Sequence, residues 1–124
     1  MSRELNLYQF RRSEWLIAGG SLLTIQSIPF ASNKQSDLLV RTGGQIQELW
    51  DCLIAARNRV GIDNDDPIPV FLSPHDRDLL TQVLLLCVQE FACDPISLHL
   101  HLCASTIDQV LDVLSVLGGG GELA

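Results

Sequence analysis

Ser97-Leu98-His99-Leu100-His101-Leu102-Cys103 places two of the three histidines and one of the four cysteines at alternate positions of one run. Imidazole and thiolate are ligands for zinc and iron, and both groups serve in acid–base or nucleophilic catalysis. On an extended strand, residues two apart share a face with Cα atoms about 7 Å apart. His99 and His101 could then reach one metal ion, and Cys103 could join them if the strand bends. A structural zinc site needs four ligands, so His75, Cys87 or Cys93 would have to fold toward this face. The spacing matches no zinc-finger pattern, and the chain has no Cys-x-x-Cys. The competing reading is an ordinary strand with Ile96, Leu98, Leu100, Leu102 and Ala104 on one face and Ser97, His99, His101 and Cys103 on the other. The ordinary strand is favoured. The metal-dependent or His/Cys enzyme is the alternative.

Other chemistry-bearing groups have simpler explanations. Ser73, His75 and Asp76 are the residue types of a nucleophilic triad, but neighbours in one helical turn point apart and cannot form a linear relay. Helix capping accounts for all three. Asp63, Asp65 and Asp66 begin like a calcium loop. The required glycine is missing, Pro67 takes a ligand position, and no glutamate stands twelfth. This stretch reads as a solvated acidic loop that could contact a basic partner. The C-terminal glycines follow a helix and lack the Gly-Lys-Ser/Thr of a phosphate loop. Glu14, Glu48, Glu90 and Glu122 are dispersed, so no carboxylate pair presents itself. No cofactor is expected, and no motif is specific enough to name a family.

The elements that must position these groups read as an α+β fold. Glu14 to Ala18 and Ser21 to Gln26 are apolar runs flanking Gly19-Gly20, the pattern of a β-hairpin with a primed turn. Leu38-Leu39-Val40 suits a third strand of a meander. Yet Leu39, Thr42, Ile46, Leu49 and Leu53 also keep helical spacing, so 37–42 stays open between strand and helix. A helix is expected from Gln45 to Val60, with Gly61 as its cap. Ile68 to Leu72 is extended because of its prolines. A second helix starts at Ser73-Pro74 and runs to about Ala92. Its apolar stretch Val83 to Val88 needs cover on several sides. Asp94-Pro95 breaks it before the strand at 96–103, which joins the small antiparallel N-terminal sheet. Ser105-Thr106-Ile107-Asp108 opens a third helix ending at Leu117. Residues 1–124 form one domain, with an N-terminal arm over 1–12 and a flexible Gly-rich tail over 118–124.

Composition narrows the function. The chain has 124 residues, 47% hydrophobic and only 19% charged, so a small domain has trouble covering its apolar surface. Net charge is −7, Lys34 is the sole lysine, and the seven arginines are scattered. Nucleic acid needs a clustered cationic face, and an anionic membrane is disfavoured on the same ground. The polar start Met1 to Leu5 carries no secretory signal, so the thiols read as reduced and the protein as cytoplasmic. The last helix has apolar residues Ile107, Val110, Leu111, Leu114 and Leu117 around most of its girth. Such a helix is buried in a groove of its own domain, or it forms a homodimer seam or a partner face. The expected function is a small acidic protein-binding module of the adaptor, chaperone-like, inhibitor or immunity type, working as a homodimer.

Overall fold

The structure, a computed structural model, describes residues 5–30, 33–42, 44–60, 67–91, 94–104 and 106–119. Their order is β1 (Asn6–Phe10), α1 (Arg12–Ser27), α2 (Lys34–Thr42), α3 (Gln45–Val60), β2 (Ile68–Leu72), α4 (Pro74–Phe91), α5 (Pro95–Leu102) and α6 (Ile107–Gly119). Helix accounts for 77% of them, and the two strands make one antiparallel ribbon. Tyr8 pairs with Val70 and Phe10 with Ile68. Both strands alternate: Tyr8, Phe10, Ile68, Val70 and Leu72 are buried, while Leu7 and Phe71 face out. Pro69 is tolerated because a two-stranded ribbon is all edge.

The α+β expectation is therefore corrected to a mostly helical fold. The first correction is the hairpin at 14–26, which is the single helix α1. Trp15, Ala18, Leu22 and Ile25 are buried at three- and four-residue spacing. The glycine pair makes room for neighbours instead of a turn. A Cβ on Gly19 would meet Trp50 Cζ3 at 2.8 Å, and one on Gly20 would meet the His101 carbonyl oxygen at 2.9 Å. Residues 37–42 belong to helix α2, which settles that choice against the strand.

The strand at 96–103 is also a helix. Asp94 is its N-cap, accepting from the Ser97 N–H at 3.2 Å and the Ser97 hydroxyl at 2.7 Å. Pro95 holds the first helical position, where its missing N–H costs nothing. Cys103 ends the helix in the left-handed region at φ 57°, its N–H donating to the His99 carbonyl at 3.1 Å. Asp94-Pro95, expected to break a helix, begins one here.

The helices expected at Gln45–Val60, from Ser73-Pro74 to about Ala92 and from Ser105-Thr106 to Leu117 are present as α3, α4 and α6, with Ala92 and Ser105 outside the described residues. Gly44 and Ser73 precede two of them, and Ser73 Oγ accepts the Asp76 N–H at 3.1 Å. Residues 6–10 of the expected arm are the core-packed β1, and α6 continues to Gly119. The expectations for Gly61, the acidic loop, Cys93 and residues 120–124 lie outside the described residues.

α1 is the hub, packed by α3, α4, α5, α6 and β1. The indole N–H of Trp15 donates to the Leu53 carbonyl at 3.0 Å, and Arg57 stacks 5.0 Å from the Trp15 ring centre. α2 is different, since it buries only Gln35 and Leu38. The Gln35 amide donates to the carbonyls of Ile25 (2.9 Å) and Ile28 (2.6 Å) and accepts the Phe30 N–H at 2.8 Å. One side chain thus satisfies backbone groups freed at the end of α1.

Candidate functional site

The change from strand to helix at 95–102 decides what the molecule shows its surroundings. On a strand the alternating aliphatics would share one buried face. On a helix, positions four apart share a side and positions two apart oppose each other. Leu98 and Leu102 are accordingly buried, at 3% and 0% exposure, while Ile96 and Leu100 stand 72% and 68% exposed. α1 adds Leu16 and Leu23, seven residues apart on one side of the helix and 42% and 45% exposed. Burying each such side chain would gain roughly 2 kcal/mol.

Leu23 and Leu100 meet at an open groove of about 280 Å³ between α1 and α5, with Gly20 and Thr24 from α1 and His101 and Cys103 from the end of α5. The close approach at Gly20 makes this seam, and Thr24 Oγ1 fastens it by donating to the His101 carbonyl at 3.0 Å. The His101 ring lies 5.3 Å from that of Phe91, which meets Phe30 edge-on at 5.5 Å. The lining contains no aspartate, glutamate, lysine or arginine, in a chain of net charge −7.

His99, His101 and Cys103 are not aligned. Two residues on a helix turn through about 200°, so the two imidazoles point to different sides. His99 and Cys103 are exposed and His101 is half-buried. No group of three or more His, Cys, Asp or Glu among the described residues is placed to hold a metal ion. His75 sits elsewhere, its Nε2 3.0 Å from Gln45 Oε1. Cys87 is buried between α4 and α1, and burial, with Glu90 second, pushes its thiol up to about 12. Burial, then Asp76, also raises the Cys52 thiol against the opposing pull of Arg59. Neither carries the lowered pKa of a reactive thiolate.

The face expected on the last helix is divided. Val110 and Leu117 lie in the core with Val113, Ile107 and Leu114 are half-buried, and Leu111 is exposed. Asp63, Asp65 and Asp66 lie outside the described residues. Sequence reading missed Leu23, Ile96 and Leu100 because it placed them inside a sheet. The signal that could have found Ile96 and Leu100 is Asp94-Pro95-x-Ser97, an N-cap, a first-turn proline and a polar third residue.

No family model, curated protein or solved structure matches this chain. No single helix among the described residues is long and apolar enough to cross a membrane.

Proposed function

We propose that this protein is a small acidic binding module of the cell interior, whose α1–α5 face takes up the apolar stripe of a helix from a partner protein. One observation carries the reading: Leu23 and Leu100 stand exposed at a groove with no Asp, Glu, Lys or Arg in its lining, and Ile96, one turn before Leu100 on α5, is exposed as well. An uncharged groove between two helices complements an uncharged helix stripe, the helix-in-groove mode of recognition. The exposed Cys103 at the groove's end supplies a weak polar contact for orientation.

A photo-crosslinking residue placed at position 100 in the native host tests this. The expected product is a single adduct whose linked peptide, read by mass spectrometry, is an apolar-striped helix. Leu23→Asp should abolish it, and the same probe at the exposed position of Asn58 on α3 should not form it. Equal labelling at both positions, or no discrete adduct at position 100, rules the site out.

A further inference from the structure

A second groove, about 260 Å³, runs between α2 and α4 and differs in character from the first. Leu38, Leu85 and Leu86 are its apolar lining, Lys34, Asp37 and Arg41 line it from α2, and two glutamines of α4 complete it. Seven residues make almost two helical turns, so Lys34 and Arg41 fall on one side of α2 with Asp37 between them. Two of the chain's eight cationic residues thus flank one leucine-containing cleft. Leu85 is 44% exposed there. The complement of such a cleft is a helix with an exposed leucine set among carboxylates.

This chain carries one. The core side of α6 is Val110, Val113 and Leu117. The opposite side presents Asp108, Leu111, Asp112 and Ser115, all exposed, with Leu111 at 46%. We infer that α6 of one copy docks in the α2–α4 groove of a second copy of this chain. Leu111 covers Leu85, 44% exposed, and Asp108 and Asp112 meet Lys34 and Arg41. Asp37 sets the register, because a carboxylate is favoured opposite either cation and repelled opposite position 37. In a chain of net charge −7 like-charge repulsion opposes self-association, and a cationic rim meeting an acidic helix face offsets it. The two faces lie on different elements, so the contact can be isologous or heterologous. Made reciprocally it closes a two-fold dimer; made in one direction it continues from copy to copy. Neither face includes Leu23, Ile96 or Leu100, so this contact and the α1–α5 site stand or fall separately.

Charge reversal on the full chain tests the pairing. All four charged positions are exposed, so each double variant should keep the helical circular dichroism of the wild type. Sedimentation of the wild type should show mass above monomer from micromolar concentration upward. Lys34→Glu with Arg41→Glu, and separately Asp108→Lys with Asp112→Lys, should each weaken association by about tenfold or more. Mixed in equal amounts, the two variants should associate again, since each then supplies the face the other lacks. A wild type that stays monomeric overturns the inference. So does association that neither reversal weakens, or a mixture that fails to recover it.

Discussion

α1 and α2 follow each other in the chain and are held in opposite ways. α1 is fixed by shape: Trp15, Ala18, Leu22 and Ile25 fill the core, and Gly19 and Gly20 let Trp50 and the α5 backbone approach closely. α2 is fixed by hydrogen bonds: Gln35 carries three of them, Leu38 is its one buried apolar side chain, and Val40 stands 83% exposed. Dispersion and burial are spread over many contacts, so α1 should respond to volume. A hydrogen-bonded attachment rests on one amide, so α2 should respond to the chemistry of that amide. Both candidate docking faces lie beside these helices, one on the close-packed side of α1 and one along the lightly held α2.

The largest effect is expected at the hub. Gly20→Val should cost about 3 kcal/mol, because the added carbons run into a backbone carbonyl that cannot swing aside. Gly19→Ala should cost about 1 kcal/mol or less, since the half-buried Trp50 ring can shift and alanine favours the helix. Denaturant unfolding measures both. Equal losses would show that shape at the α1–α5 seam is not what holds this helix.

The next effect belongs to α2. Gln35→Glu keeps size and one acceptor but removes the donors to the Ile25 and Ile28 carbonyls. Facing two carbonyl oxygens, the carboxylate should cost about 2 kcal/mol. The loss should open α2 locally: amide exchange over 34–42 should rise while the Leu22 and Leu53 amides keep their protection. Uniform loss of protection would erase the contrast between the two helices.

What the sequence made legible follows the same division. α3, α4 and α6 were readable because their ends carry local chemistry, such as Ser73-Pro74 at a start and Arg57 and Arg59 in a last turn. α1 was not, because Gly19-Gly20 has one local meaning, a turn, and another that depends on Trp50 and His101, distant in sequence. α5 was not, because eight residues give a two-residue alternation and a four-residue repeat nearly equal support. Reading it as a strand hid both the exposed leucine face and the dispersal of the histidines. The apolar breadth of α6 was visible, but which side its own core takes depends on where α1, α4 and β1 lie.

The smallest expected effect separates the two helices by pH. Cys87 sits at the seam of α4 and α1, its thiol 3.9 Å from the Ser21 carbonyl. Burial raises it from about 9.0 in the open chain to about 12 in the folded one. Above pH 9 the unfolded chain loses this proton while the folded chain keeps it, so rising pH favours unfolding. The stability is present in full below the unfolded value and is lost progressively as pH climbs toward the folded one. The loss due to this thiol should be about 1 kcal/mol by pH 10. Urea unfolding under reducing conditions at neutral pH and at pH 10 should show it as a steeper decline for the wild type than for Cys87→Ala. The variant loses a constant amount at both pH values through the small cavity it leaves, so the difference in slopes isolates the thiol. Gln35→Ala should decline as steeply as the wild type, because the attachment of α2 rests on a neutral amide with no proton to lose. Parallel declines for wild type and Cys87→Ala would mean that the folded thiol ionises as readily as the unfolded one and that the α1–α4 seam admits water.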